Sequence, residues 1–255
     1  MKLRLSRVIA IWMRHFVAFR SGWMVEATGI ILEPMFILIA IGFGVGQFVD
    51  QITPNLTYQE FIAPGVVVGS AMWHALFHCA WGGYQRMKEQ HLYETILIAP
   101  VNLSELVGGE IMWGATRSVM TTTAVLGVAS ILGLISSPFS IFIIVVGFFA
   151  GLMFGAIGLI CAATAPNNHS LMLVFTMIGS PLFFFSGVFF PIDSLPDYLE
   201  PVAWVMPLTP AVHIARGLSL GEFDLSHIYS VIYMVGLVAL LCPVATALLK
   251  RRVFV

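Results

Sequence analysis

Long apolar runs constrain this chain more than any other feature. Residues 171–190 contain no charged side chain, and comparable runs occupy 27–49, 61–84, 106–135, 139–165 and 228–249. A hydrocarbon core of about 30 Å is crossed by about 20 apolar residues in a helix. Six such runs predict six transmembrane helices. Composition agrees, because 59% of the 255 residues are hydrophobic and only 10% are charged. A water-facing surface needs about 25% charged residues, so lipid is the solvent that suits this chain.

The first stretch, 1–24, reads differently. Leu5, Val8, Ile9, Trp12, Phe16, Phe19 and Trp23 form one stripe at helical spacing, with Arg7 and Arg14 on the other side. An aromatic and aliphatic stripe backed by arginines predicts a helix lying in the membrane interface. The alternative is a solvated helix packed on a partner subunit. No cleavable signal peptide is expected, because Arg14 and Arg20 cut the apolar stretch and no small-x-small cleavage site follows.

Basic residues orient the bundle. With six alternating spans, Lys2, Arg4, Arg7, Arg14, Arg20, Arg86, Lys88, Lys250, Arg251 and Arg252 fall on one side, ten of the twelve in the chain. The loop 191–227 has Arg216 alone against five acidic residues. The positive-inside rule then places both termini in the cytoplasm of a multi-pass inner-membrane protein.

Two connections carry more than a link. Residues 85–105 combine a charged half, an apolar Ile96-Leu97-Ile98 patch and a Pro100 stop, which predicts a short helix exposing apolar side chains to a partner. Residues 191–226 hold five prolines together with Leu195, Tyr198, Leu199, Val202, Trp204, Val205 and Met206. That mixture predicts short re-entrant helices tucked into the outer leaflet against protein.

Soluble-enzyme chemistry finds little support. No Gly-Lys pair occurs, so a phosphate-cradling loop is absent, and no nucleophile elbow or Ser/His/Asp set is suggested. His74 and His78 stand one turn apart, but Ala75 follows His74, so the glutamate of an HExxH zinc site is missing. Packing or a hydrogen bond to a neighbouring span is the favoured reading, and no metal site is expected. Cys79, Cys161 and Cys242 lie in apolar runs without CxxC spacing. The Asn55-Leu56-Thr57 glycosylation triplet carries almost no weight in a chain of bacterial appearance. A net charge of −1, distributed by side of the membrane, gives no support to a nucleic-acid partner.

Gly147, Gly151 and Gly155, like Gly42 and Gly46, form small-residue ridges for close helix packing, inside the bundle or between two copies. Glu110 and Arg117, seven residues apart on the third span, share a helix face. A charge at mid-bilayer costs at least about 2.5 kcal/mol. Arg117 is therefore expected to face protein, paired with Glu110 or with a backbone carbonyl, in a structural role ahead of a transport role. No chain of carboxylates crosses the membrane and no inverted repeat is visible, which disfavours an ion-coupled carrier.

Several segments together resemble a known family. They are Glu33-Pro34 followed by GFGVG, FIAPG at 61–65, YETILIAPVNLSELVGGEI at 93–111, SPLFFFSGVFFPIDSLP at 180–196 and PLTPAVHIARGLSLG at 207–221. The whole chain, 1–255, is similar to a single type-2 ABC transporter permease domain, and within that family to the group that exports nodulation factors (lipo-chitooligosaccharides). Pro210 stands after PLT where that group is expected to carry His.

The resemblance implies an all-α membrane protein that is not itself an enzyme. Two copies would pair with two cytoplasmic ABC ATPase subunits, which bind the ATP and Mg. It implies that 86–104 is the coupling helix, with Glu94, Leu97 and Pro100 seated in a groove of the ATPase. Residues 191–222 would be outer re-entrant helices closing the exit, with Phe190, Pro191, Trp204 and Pro207 at the gate. The substrate route would run between the copies, lined by the first, second and fifth spans. Members export amphipaths, so the expected cargo is a glycolipid or lipo-oligosaccharide. A drug or antibiotic exporter is the alternative within the class, and an ATPase-independent channel or ion-coupled carrier the alternative outside it.

Overall fold

The computed structural model describes residues 4–49, 51–53 and 56–253; Lys2 of the basic N-terminal set and Asn55 of the glycosylation triplet lie outside them. Ten α-helices run in the order α1 Leu5–Ile37, α2 Tyr58–Phe77, α3 Leu92–Ile98, α4 Leu103–Ile131, α5 Ile143–Thr164, α6 Asn168–Val174, α7 Ser180–Phe185, α8 Glu200–Val205, α9 Thr209–Leu220 and α10 Leu225–Val253. Turns with the wider i→i+5 hydrogen bonding extend α1 over Leu38–Gly44 and α2 over His78–Gly82 and Gln85–Glu89. In the outer loop after α1, β1 Gln51–Thr53 pairs antiparallel with β2 Leu56–Thr57, a small departure from the all-helical expectation.

Five helical stretches are long and apolar enough to cross a membrane: Leu5–Gln47, Tyr58–Glu89, Pro138–Thr164, Asn168–Phe185 and Leu225–Val253. The expected third span, α4, is not among them. Its 29 residues reach about 43 Å, but Glu105, Glu110, Arg117 and the Thr121–Thr123 run lower its hydropathy. The reason is its position. α4 lies between α1, α2 and α5, and Glu105, Glu110, Ser118, Thr121 and Thr122 are all fully buried. Polar side chains in such a helix face protein rather than lipid.

The interfacial stretch and the first span are one helix with a break. Gly22 takes φ −124° and ψ 20°, outside helical geometry, so α1 kinks there rather than ending at residue 24. Of the apolar stripe Leu5, Ile9 and Trp23 are exposed while Val8 is buried, together with Ile11 and His15 on the adjoining face. The buried face rests on α4, where a Cβ on Gly109 would sit 2.6 Å from Ile11 Cβ. Trp12 donates to Thr116 Oγ1 at 2.8 Å. One helix thus presents an outward stripe and an inward seam.

The start of α4 is tied to that seam. Glu105, at its third position, accepts from the Asn102 N–H at 2.8 Å, the half of a capping box that satisfies an orphan donor. The Arg7 guanidinium lies 3.3 Å from that same oxygen, and the other oxygen accepts from the Arg4 N–H at 2.9 Å.

The glycine ridge on α5 faces inward. A Cβ on Gly151 would meet Ala115 Cα at 2.6 Å, and one on Gly158 would meet the Leu76 carbonyl at 2.8 Å. The close approach of α5 to α4 and α2 therefore depends on those hydrogens. Gly151→Val is expected to destabilise the bundle by about 1–3 kcal/mol through overpacking. Gly127, with nothing within 4 Å of its Cβ position, is the control, and Gly127→Ala should not lower the melting temperature in detergent. Equal melting of the two variants would place the ridge outside the bundle's interior.

The fifth expected span is shorter than its apolar run. Helix ends at Phe185, and Gly187 turns the chain at φ +77°, a conformation open to glycine at little steric cost. Val188 and Phe189 then fold back into the core. Beyond them, 191–222 forms a 3₁₀ turn at Ile192–Ser194 and the helices α8 and α9.

Candidate functional site

A buried polar cluster joins α1, the extended end of α2, and α4. Glu110 is wholly enclosed, and one of its oxygens lies 2.9 Å from His15 Nε2 and 3.1 Å from an Arg14 Nη. The other oxygen accepts from Arg86 at 2.6 Å. Trp113 stacks on His15 with ring centroids 5.8 Å apart and planes 11° from parallel, and His78 meets His15 edge-on at 5.4 Å. One carboxylate so neutralises charges from two other elements, in surroundings where an unpaired ion costs several kcal/mol.

This corrects the expected Glu110–Arg117 pair. Seven residues span about 10.5 Å along a helix, and Arg117 instead donates to Glu26 of α1 at 2.6 Å. Glu26 is 42% exposed at its side chain, whereas Glu110 is fully enclosed rather than reaching the interface. His74 bonds locally, its Nδ1 donating to the Ser70 carbonyl at 3.0 Å.

His15, His78 and Glu110 bring one ligand atom each within 4.8 Å of one another, a geometry that invites the question of a metal. Two guanidiniums already hold the carboxylate at 2.6 and 3.1 Å. A divalent cation would sit against both positive charges, so the donor set fits a salt-bridged hub and not a metal.

Beside the hub, a cavity of about 600 Å³ opens between α1, α2 and α4. Glu26, Glu33, Trp73, His74, Phe77, His78, Trp81, Gln85, Arg86 and Arg117 line it.

At the other end of the bundle Arg216 of α9 is held in a nest of carbonyls. It donates to the Gly187 carbonyl at 2.6 Å and to the Phe61 carbonyl at 3.4 Å, with its guanidinium 3.8 Å from the Phe61 ring centroid. This residue clamps α9, the Gly187 turn and the start of α2 together, a role sequence reasoning missed. Its signal was a single basic residue in an otherwise acidic and apolar segment.

Around the outer turn, Phe190 packs edge-on against Phe185 at 6.3 Å, and Pro191 opens the 3₁₀ turn. Trp204 of α8 meets His213 of α9 edge-on at 5.7 Å, and Pro207 lies in the link between those helices. Of these four residues Phe190 and Trp204 make ring contacts, and the two contacts are separate.

The connection from α2 to α4 is narrower than 86–104. Its first part continues α2, and the separate helix is α3, Leu92–Ile98, entered through His91 at φ 50°. Tyr93 anchors it with no exposed surface, and burial, then the Glu110 charge, pushes its hydroxyl pKa up so that it stays protonated. Leu97 leans partly on the core, while Glu94 and Pro100 are exposed. Ile98, at 87% exposure, is the apolar residue left uncovered.

Comparison with known proteins agrees with this architecture. The family model described as "ABC-2 type transporter" matches residues 6–220. Nodulation protein J of Rhizobium meliloti (strain 1021) is 30% identical over 252 residues, covering 96% of this chain and 93% of that protein. Nodulation protein J of Rhizobium leguminosarum bv. trifolii is 29% identical over 248 residues, covering 96% and 93%. The inner membrane transport permease YadH of Escherichia coli (strain K12) is 22% identical over 223 residues, covering 86% and 84%. With apolar helices of membrane-crossing length and a family match over most of its length, the chain belongs to the ABC-2 type transporter family, as a multi-pass membrane component of transport.

Proposed function

We propose that this chain is the permease of an ATP-driven exporter that moves an amphipathic substrate, a glycolipid or lipo-oligosaccharide, across the inner membrane. Two copies work with two cytoplasmic ABC ATPase subunits, which supply the ATP and Mg chemistry. α4 crosses the membrane as the third of six spans, and both termini lie in the cytoplasm with Lys250, Arg251 and Arg252. The outer segment from Phe190 through Pro191, Trp204 and Pro207 closes the exit.

The observation that carries this reading is α3. It is a short helix held rigidly through buried Tyr93, yet it leaves Ile98 at 87% exposure beside exposed Glu94 and Pro100. A fixed apolar side chain outside the bilayer is the kind of feature that seats in a partner's groove. The salt-bridged hub lies directly behind it, so a push on α3 reaches α1 and α4 through Arg86 and Glu110.

Ile98→Asp is the direct test, because Leu97→Asp also disturbs the core that Leu97 touches. The variant should fold and insert normally, lose its co-purifying ABC ATPase, and fall at least about tenfold in ATP-dependent transport. A variant that keeps the ATPase and transports at the wild-type rate removes α3 as the docking element.

A further inference from the structure

The cavity beside the hub has a lining with a definite chemical character. Trp73, Phe77 and Trp81 recur every four residues along α2 and its extension, and the last two rings lie 6.1 Å apart and 6° from parallel. They form a flat aromatic wall. The i→i+5 turns at His78–Gly82 and Gln85–Glu89 widen the helix beside it, a distortion that often marks functional sites.

Facing that wall are hydrogen-bonding groups of both kinds. Arg86 Nε, Arg117 Nε and His78 Nε2 are buried without a partner. Glu33 and Gln85 add acceptors and an amide. Those three nitrogens are shut off from the open space, so the groups a ligand can reach are the Glu26 and Glu33 carboxylates and the Gln85 amide.

Charge narrows the ligand class. In the lining Glu26 and Glu33 stand against Arg86 and Arg117, two carboxylates and two guanidiniums. Arg86 and Arg117 are already engaged by carboxylates at 2.6 Å each, so an anionic headgroup has to displace a paired glutamate. A cation meets the same guanidiniums. A neutral, polyhydroxylated group meets neither obstacle. Its C–H face lies on an indole, its hydroxyls donate to the Glu26 and Glu33 carboxylates, and they accept from the Gln85 amide.

We infer that this cavity binds the sugar end of an amphipathic substrate within each protomer, with Trp73 and Trp81 as the stacking platform and Glu33 as a hydroxyl acceptor. The inference deepens the export reading by assigning a headgroup class and a place to its substrate. The cavity volume, about 600 Å³, lies within the range of small-ligand sites.

The test uses the full-length chain in phosphatidylcholine nanodiscs without any ATPase. Tryptophan fluorescence is titrated with an alkyl maltoside, an alkyl phosphate and an alkyl phosphocholine of equal chain length. The maltoside should bind saturably and more tightly than the other two. Trp81→Leu and Glu33→Gln should each weaken it about tenfold and leave the weak alkyl phosphate binding unchanged. Glu33 is exposed, so the second variant keeps the test intact if the first folds poorly.

Tighter binding of the alkyl phosphate, indifference to headgroup, or wild-type maltoside affinity in both variants overturns the inference. Because no ATPase is present, these outcomes are separate from the export reading. ATP-driven export with headgroup-indifferent binding removes the sugar site alone. Selective maltoside binding in a chain that recruits no ATPase removes the export reading alone.

Discussion

Glu110→Gln is expected to cost about 3–5 kcal/mol and to strip most folded protein from a size-exclusion profile in mild detergent. Glutamine keeps the shape of the side chain but leaves Arg14, Arg86 and any charge on His15 without a counterion, in a cluster where Glu110 has no exposed surface. The loss should follow the burial of the partners. Arg86, 12% exposed at its side chain, should be more costly to remove than Arg14, 32% exposed. Arg117→Ala should be milder than either Glu110 or Arg86 changes, about 1 kcal/mol, because its partner Glu26 is 42% exposed and water can take over. Equal yields for Glu110→Gln and Arg117→Ala would contradict the hub.

Arg216→Leu has the second large expected effect. The guanidinium makes two hydrogen bonds to carbonyls of different elements and a cation–π contact with Phe61. A hydrogen bond to a charged group contributes about 1.5–3 kcal/mol, and a desolvated cation–π contact about 2 kcal/mol. Against these stands the cost of burying the charge, so a net loss of about 3 kcal/mol is the expected result. The melting temperature should fall and the outer segment should become open to protease. Arg216→Lys should recover only part, since one Nη reaches both carbonyls, as an ammonium could, but an ammonium lacks the planar guanidinium that lies over the Phe61 ring. A leucine variant as stable as wild type would mean that desolvation cancels the clamp.

The spans were legible because lipid imposes a simple rule on every residue facing it. Where helices face protein, that rule fails. α4 reads as a span by length, yet its buried threonines, serines and Glu110 give it too little apolarity to qualify, and only the neighbours α1, α2 and α5 explain why they are tolerated. The Glu110–Arg117 expectation failed for the same reason. Periodicity places both on one face, but partner choice depended on α1, 90 or more residues away in sequence, which supplies Arg14 and His15 to one and Glu26 to the other. The apolar stripe of the first helix was visible, but the inward burial of Ile11 and His15 beside Val8 became apparent only against α4. In the segment 86–104 the apolar patch stood out, while the division of labour between Leu97, turned partly inward, and Ile98, left outside, needed the register of α3.

Inside-out membrane vesicles containing this chain and its co-purifying ABC ATPase measure the central claim most directly, through uptake of a fluorescent alkyl oligoglycoside. The account predicts accumulation that requires hydrolysable ATP, survives collapse of the proton and sodium gradients, and disappears with Ile98→Asp. Accumulation that proceeds without ATP, or that stops when the ion gradients collapse, would contradict it and identify a channel or an ion-coupled carrier.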